Sequence, residues 1–328
     1  MLNLLTDIEG ISVGHATDLE LGSGVTAIVF DEPTVASGSV LGGAPGGRET
    51  ALLDPSMMVE QVDAIVLSGG SAFGLDAAGG VQSGLRSVGR GFKVGDTAVP
   101  IVPQAILMDL LNGGNKNWSL HAPYRDMGYQ AWQAAAKGAF ALGTVGAGTG
   151  ATTATVKGGL GSASAKTSGG YTIACIVAVN AMGSPTIGTG PHFWSAPFEQ
   201  NSEFGGLGQP ERPTSADIAM RIKGIDITAT TIGMVATDAV LTKAQAHRLS
   251  VMAHDGLARA VLPAHLPADG DTFFAAATGR KPLGDLADFM ELCHLTTIVT
   301  ARAIARGVFE ATALPNKDAQ PAWRDKFI

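Results

Sequence analysis

The chain has 328 residues, 44 of them glycine, and only 16% are charged, against roughly a quarter in an average soluble domain. This composition excludes a disordered polyelectrolyte and predicts a well-packed protein of one or two domains. The net charge of -7, without a basic run, argues against nucleic-acid binding.

The N-terminal region does not have the pattern of an export signal, because Asp7 and Glu9 stand where an apolar core is needed. We therefore expect a cytoplasmic protein. Cys175 and Cys293 are isolated in apolar runs, which indicates reduced, buried thiols and not a disulfide. Residues 167–198 carry no charge, but their dense apolar part has the length of a strand, so we predict no membrane span.

Short β-branched runs predict strands, several of them apolar on both faces and therefore covered on both sides in an α/β fold. The predicted strands are residues 25–30, 64–67, 173–179 and 227–236, with stretches rich in alanine and glycine between them. Residues 184–217 form a long irregular segment, of a kind that is uncommon unless functional or mobile.

The last third of the chain predicts the order strand, helix, loop, strand, long helix. Thr242 and Gln245 form a capping-box pattern that begins a helix ending near residue 261. A second helix is predicted for residues 285–312, and the tail after residue 315 is predicted to be a polar terminus.

Two glycine-rich loops, residues 42–49 and 68–74, are similar to phosphate cradles but match no nucleotide-binding fingerprint. Tight turns or close strand packing explain them better. Ser71 lacks the glycine spacing of a hydrolase elbow, and Lys157 lacks the Ser or Thr of a Walker motif. The seven histidines show no metal-binding spacing, so we expect surface or core histidines and no metal.

The threonine-dense run that begins at residue 227 has two interpretations. Threonine favours strands, which is the simpler one. The other is self-cleavage, in which a threonine hydroxyl attacks the preceding carbonyl and is afterwards activated by its own α-amine. An α-amine has a reference pKa of about 7.7 to 8.0, so it can take a proton near neutral pH.

A second polar cluster, Asp269-Gly270-Asp271-Thr272, precedes two phenylalanines. An Asp-Gly turn is one explanation. In an extended segment, however, Asp269 and Asp271 would point the same way, and two carboxylates suit a substrate's free ammonium group.

Four motifs in the same order along nearly the whole chain resemble the DmpA-type self-processing peptidases. They are GGAPGGRET at 42–50, LSGGSAFGLDAA at 67–78, TTIGMVATD at 230–238 and DGDT at 269–272. That family includes L-aminopeptidase/D-Ala-esterase/amidases, β-peptidyl aminopeptidases and endo-type nylon-oligomer hydrolases.

The resemblance implies a four-layer αββα sandwich, Ntn-hydrolase-like in its chemistry and forming one domain of residues 1–328. Cleavage between Ala229 and Thr230 would give an α fragment, 1–229, and a β fragment, 230–328. Thr230 matches the nucleophile and Asn180 the oxyanion-stabilising asparagine. Lys157 matches a lysine near the nucleophile, and the two acids at 269 and 271 match positions that orient the nucleophile or the substrate amine.

Two residues depart from the family pattern. Met108 stands where the family usually has a tyrosine that assists at the oxyanion or the substrate, and a thioether donates no hydrogen bond. Ala229 stands where Asn or Gly commonly precedes the nucleophile. Ornithine acetyltransferases, which have a related fold, also resemble this chain in cleaving between Ala and Thr.

By this resemblance we expect a cofactor-free threonine amidohydrolase or aminopeptidase, assembled as a homo-oligomer such as a tetramer of αβ units. Its substrates would be short peptides, amino-acyl amides or esters, with β-peptides or nylon oligomers included. An acyltransferase of the ornithine acetyltransferase type and a non-catalytic ligand-binding protein are the alternatives.

Overall fold

The computed structural model describes residues 1–224 and 229–328. Its strands are β1 (Ile11–Asp18), β2 (Ser23–Val40), β3 (Gly47–Arg48), β4 (Gln61–Ser68), β5 (Phe92–Val94), β6 (Thr97–Val99), β7 (Gln104–Ile106), β8 (Leu160–Lys166), β9 (Thr172–Asn180), β10 (Thr230–Ala239) and β11 (Thr272–Lys281). Its helices are α1 (Ala77–Ser87), α2 (Tyr124–Gln133), α3 (Lys243–Ala260), α4 (Leu286–Phe309) and α5 (Trp323–Phe327).

The main sheet of the described residues has the strand order β3-β7-β4-β2-β11-β10-β9-β8, and β1 also pairs with β2. The long strand β2 joins two halves of this sheet. Its first part pairs with β1 and β4, whereas its last part, residues 35–40, pairs with β11. Strands β10 and β11 are parallel, and β10 is antiparallel to β9.

The two halves of the sheet face each other across a shared apolar core. That core joins Ile28, Ile65 and Leu67 from one half to Ile232 and Met234 from the other. Because successive strand residues point to opposite faces, the alternate residues lie in two outer cores. One outer core lies under α1 and α2 and the other under α3 and α4. The four-layer αββα sandwich is thus confirmed.

The predicted order of the last third is confirmed as β10, α3, β11, α4. Helix α3 begins after Thr242, whose hydroxyl accepts the Gln245 backbone N–H while the Gln245 side chain reaches back, as the capping-box pattern predicted. Helix α4 begins after Asp285, which caps two backbone N–H groups, and ends at Phe309, before the predicted residue 312.

The prediction of a polar terminus after residue 315 is wrong. Trp323 is buried and stacks on Phe193, and its indole N–H donates to Pro191 O. A single large aromatic residue in a polar tail is enough to tie the tail down, because it buries a large apolar area. The tail therefore covers part of the irregular segment that precedes β10.

The strand predicted at 227–236 is confirmed only in part. Ile227 and Thr228 lie outside the described residues, and β10 runs from Thr230 to Ala239. The other predicted strands lie within β2, β4 and β9. Within the described ranges, we find no helix with the length and apolar character needed to cross a membrane.

Candidate active site

The candidate site lies where β9 ends and β10 begins. Asn180, the last residue of β9, is directly opposite Thr230, the first residue of β10. Both side chains are buried. Antiparallel pairing of two apolar strands thus brings an asparagine amide beside a threonine hydroxyl, although fifty residues of sequence separate them.

The Thr230 hydroxyl lies against the peptide group that precedes it. Its Oγ1 is 2.5 Å from the Ala229 carbonyl oxygen, and the Gly270 backbone N–H donates to the same oxygen at 2.9 Å. Two donors on one carbonyl oxygen polarise that carbonyl and stabilise negative charge on its oxygen. The Ala229–Thr230 peptide is thus held in a polar environment inside an apolar sheet.

Gly270 leaves no room for a side chain at this point. A Cβ on Gly270 would lie 2.7 Å from Thr230 Oγ1 and 2.7 Å from Ala44 O. Gly42 is equally constrained, since its Cβ would lie 2.3 Å from Asp271 N. The first glycine-rich loop therefore serves close backbone packing against residues 269–271, as the sequence favoured.

The two acids of the DGDT motif bind backbone N–H groups. Asp269 accepts from Met182 N at 3.2 Å and from Leu266 N at 3.1 Å. Asp271 Oδ1 accepts from Thr231 N at 2.9 Å. These bonds tie the loop to β10 and to the segment that follows β9. Burial, together with the negative charge of Asp271, raises the pKa of Asp269 to about 6.

Asn180 is at the centre of a hydrogen-bond network. Its Nδ2 donates to Met108 O at 3.0 Å, and the second amide hydrogen has no acceptor among the described residues. Its Oδ1 accepts from Thr152 N at 3.0 Å and from Lys223 Nζ at 2.8 Å. This orients the amide, so the position of its free N–H is fixed before any substrate arrives.

Two lysine amines lie near this network. Lys157 is buried and donates to Gly148 O at 3.1 Å and Gly158 O at 2.9 Å. Burial lowers the pKa of Lys157 to about 7, although the Asp109 carboxylate opposes this shift. Burial likewise lowers the pKa of Lys223 to about 7, opposed by Asp269. Both amines are thus partly neutral near pH 7.

A cavity of about 670 Å³ opens beside the network. Met108, Thr152, Lys157 and Lys223 line it, and Leu314 to Pro321 of the C-terminal segment form another wall. Since Met108, Thr152 and Lys223 all bond to Asn180, the cavity ends next to the residue paired with Thr230. Its volume is in the range of small-molecule sites, about 300 to 1,000 Å³.

The structure thus brings Thr230, Asn180, Ala229 and the two acids together, with Lys157 and Met108 in the adjoining cavity. Sequence reasoning missed Lys223, His265 and Gly270. Lys223 lies just after the irregular segment 184–217, where no periodicity marks it. His265 is four residues before Asp269, and its Nδ1 is 2.8 Å from Asp271 Oδ2, but an isolated histidine in sequence gives no such signal.

The chain matches the model of peptidase family S58 over residues 3–321. It is 39% identical to an uncharacterized aminopeptidase of Mycobacterium bovis, with 99% of this chain and 98% of that protein covered. It is 42% identical to an uncharacterized aminopeptidase of Mycobacterium leprae, with 88% and 82% covered.

Two solved structures have a similar fold. One is a beta-aminopeptidase from a Burkholderia species, with a TM-score of 0.71, 20% identity, and 99% of this chain and 92% of that chain covered. The other is the L-aminopeptidase D-Ala-esterase/amidase of Ochrobactrum anthropi, described as a variant of the Ntn hydrolase fold, with a TM-score of 0.71, 19% identity and the same coverage.

The fold neighbours agree with the four layers described above, and the sequence relatives extend over nearly the entire chain. The resemblance expected from the four motifs is confirmed. This chain belongs to peptidase family S58, the DmpA family.

Proposed function

We propose that this peptidase-family hydrolase is an autoprocessed amidohydrolase or aminopeptidase with Thr230 as its N-terminal nucleophile. One observation carries the proposal. The Thr230 hydroxyl lies 2.5 Å from the carbonyl oxygen of the preceding residue, and the Gly270 N–H donates to that same oxygen. A nucleophile, an amide and an oxyanion donor thus meet at one peptide bond.

Self-cleavage begins when Thr230 Oγ1 loses its proton and attacks the Ala229 carbonyl carbon. The carbon–nitrogen bond then breaks and the Thr230 nitrogen takes a proton, which leaves an ester between Ala229 and the threonine oxygen. Water hydrolyses that ester to an Ala229 carboxylate and a free Thr230 hydroxyl and amine. The products are the fragments 1–229 and 230–328 of one folded domain.

The base for this first reaction cannot be the α-amine of Thr230, because before cleavage that nitrogen is part of the amide. Lys223 is suited to the task. It is bonded to Asn180, the residue opposite Thr230, and its lowered pKa of about 7 leaves a neutral fraction near pH 7. Lys157, which also lines the cavity, donates to Gly148 O and Gly158 O and not to Asn180.

After cleavage, the α-amine of Thr230 becomes the base for its own hydroxyl. The hydroxyl attacks the substrate carbonyl, and the amine passes the proton to the leaving nitrogen. Asn180 and the Gly270 N–H are the donors proposed for the oxyanion. Water then resolves the acyl-enzyme. The Met108 side chain has no hydrogen-bond donor, so its thioether contributes an apolar wall to the cavity.

The cavity supports short substrates. Apolar side chains of Met108, Leu111, Leu314 and Pro321 line it beside the two lysine amines. We propose short peptides, amino-acyl amides or esters, and extend the proposal to β-peptides and 6-aminohexanoate oligomers on the strength of the motif resemblance. A cytoplasmic location and an assembly of αβ units remain predictions.

The decisive experiment is intact-mass analysis and N-terminal sequencing of purified protein. We expect two chains, one of which begins at Thr230. Active, folded protein that consists only of the full-length chain would contradict the proposal. An added amine acceptor then separates hydrolysis from acyl transfer, since an acyltransferase would form the acylated amine in place of the free acid.

A further inference from the structure

His265 is connected through the Asp271 carboxylate to Thr231, the residue that follows the proposed nucleophile. Its Nδ1 is 2.8 Å from Asp271 Oδ2, and its backbone N–H donates to that same oxygen at 3.1 Å. The other oxygen of Asp271 accepts the Thr231 N–H at 2.9 Å. One carboxylate therefore connects the histidine to the peptide that follows Thr230.

The charge of Asp271 has a single compensating partner. Asp271 is 2% exposed, and in the ranges that the structure describes its only ion-pair partner is His265, which is 21% exposed. Removing the partner of a buried charge is costly, because the charge loses its counter-ion and water does not replace it. The His265 ring, when protonated, is therefore placed to compensate the Asp271 carboxylate.

The backbone at His265 is held in an unusual conformation. Its φ is +57°, in the left-handed region that few residues other than glycine and asparagine adopt. The two bonds from the same residue to Asp271 offset that cost. A strained residue held beside a proposed nucleophile suggests a function for the strain.

The other groups that face the ring are Asp269, Asp271 and His254. His254, on α3, packs edge-on with a ring-centroid separation of 4.9 Å, and burial lowers its pKa to about 4, so it is neutral near pH 7. Burial of His265 itself acts to lower its pKa, but the hydrogen bond and charge of Asp271 outweigh this and raise it. Of the two histidines, His265 is thus the one whose environment favours the protonated ring.

We propose that His265 is a positioning residue that compensates the Asp271 carboxylate and so fixes the orientation and basicity of the amino group that Thr230 acquires on cleavage. This rests on the proposed function of Thr230. Two bonded carbons separate the Thr230 nitrogen from the Thr231 nitrogen, to which Asp271 is bonded. An uncompensated carboxylate there would raise the pKa of the amine and so leave a smaller neutral fraction to accept a proton near pH 7.

The test is the pH profile of kcat/KM for processed enzyme, with an alanyl para-nitroanilide as the probe. His265→Asn keeps a side chain that tolerates the left-handed backbone but removes the charge. We expect its acid limb to move to higher pH by about one unit. In the double variant His265→Asn/Asp271→Asn the carboxylate charge is also absent, so the limb should move back toward that of the wild type.

His254→Gln is the matched control, since it changes the adjoining ring and leaves the Asp271 contact intact; its limb should not move. A purely structural role would lower the amplitude of the His265→Asn profile without moving its midpoint, and that result would overturn the proposal. The proposal would also be overturned if the acid limb of the double variant had the same midpoint as that of His265→Asn.

A measurement that does not depend on turnover is the NMR titration of His265 in the unprocessed Thr230→Ala chain. We expect its proton to be retained above the usual histidine range and to be released earlier in Asp271→Asn. An unshifted titration refutes the charge compensation. Turnover by Thr230→Ala would instead refute the proposed nucleophile, so the two failures are distinguishable.

Discussion

Asn180 and Thr230 face each other as the last residue of one strand and the first residue of the next. Asn180 is fixed by bonds to Met108 O, Thr152 N and Lys223 Nζ, so the threonine begins its strand beside an oriented amide. This geometry supports the proposal that Thr230, the first residue of β10, is the nucleophile, and each prediction below tests a part of that proposal.

Replacing Thr230 with alanine removes the proposed nucleophile. We expect Thr230→Ala to remain a single chain and to lose turnover by at least about three orders of magnitude. Intact mass and an amide-hydrolysis assay measure both effects. Thr231→Val is the matched control, because the Thr231 hydroxyl is buried without a partner among the described residues. Processing that persists in Thr230→Ala would contradict the assignment.

Adding a methyl group at Gly270 should impair cleavage. The new Cβ would lie 2.7 Å from Thr230 Oγ1, so Gly270→Ala must displace either the hydroxyl or the loop. We expect processing to slow by at least about tenfold, measured as the fraction of full-length chain over time. Gly190→Ala is the control, since the nearest atom to its Cβ is 3.6 Å away. Equal rates for the two variants would argue against the close contact.

The pH dependence of self-processing should report the Lys223 amine. A base must be neutral, and burial lowers the pKa of this amine to about 7. The rate of precursor cleavage should therefore rise with pH through about 7, and Lys223→Met should both slow it and remove this dependence. Lys137→Met, at an exposed ion pair with Asp31, should behave like the wild type. If Lys223→Met kept the wild-type pH profile, Lys223 would not be the base for self-cleavage.

His254 should make the fold sensitive to mild acid. Burial lowers its pKa in the folded chain to about 4, below the usual 6.5, so it contributes stability above 6.5 that is lost as the pH falls toward 4. The loss is about 3 kcal/mol by linkage. In urea unfolding at several pH values, the free energy of unfolding should depend less on pH for His254→Gln than for the wild type. The exposed His121→Gln should leave the slope unchanged; an unchanged slope in His254→Gln would refute this account.

The buried C-terminal tryptophan should matter for both stability and substrate binding. Trp323→Ala removes a fully buried ring and should cost about 3 to 5 kcal/mol of unfolding free energy. Because residues 318–321 line the cavity just before this anchor, KM should rise more than kcat falls. The exposed Ile328→Ala should change stability by less than about 0.5 kcal/mol. An unchanged KM in Trp323→Ala would show that the C-terminal tail does not contribute to substrate binding.

Sequence patterns predicted the elements whose signals are local. The capping residues of α3 and the apolar run of β9 needed no tertiary information, because hydrogen bonding and strand periodicity act over a few residues. The prediction of a polar tail failed because Trp323 is buried by residues distant in sequence. These are Pro191, Phe193 and Phe309.

The site residues were predicted from the sequence motifs more than from the predicted strands and helices. Thr230 and Asn180 were identified by resemblance, and their pairing follows from the register of two strands that the sequence places fifty residues apart. His265 and Lys223 could not be predicted, because their significance lies in the carboxylate and the amide that they reach across the fold.

The strand order also has a consequence for how the protein can be made. Strands β10 and β11 lie between β9 on one side and β2 on the other. Cleavage before Thr230 would therefore leave the smaller fragment as the middle of a sheet whose flanks belong to the larger one. Neither fragment contains the complete main sheet, so we expect the two to arise from one gene and one folding event. Once cut, they should neither separate nor exchange between molecules without unfolding.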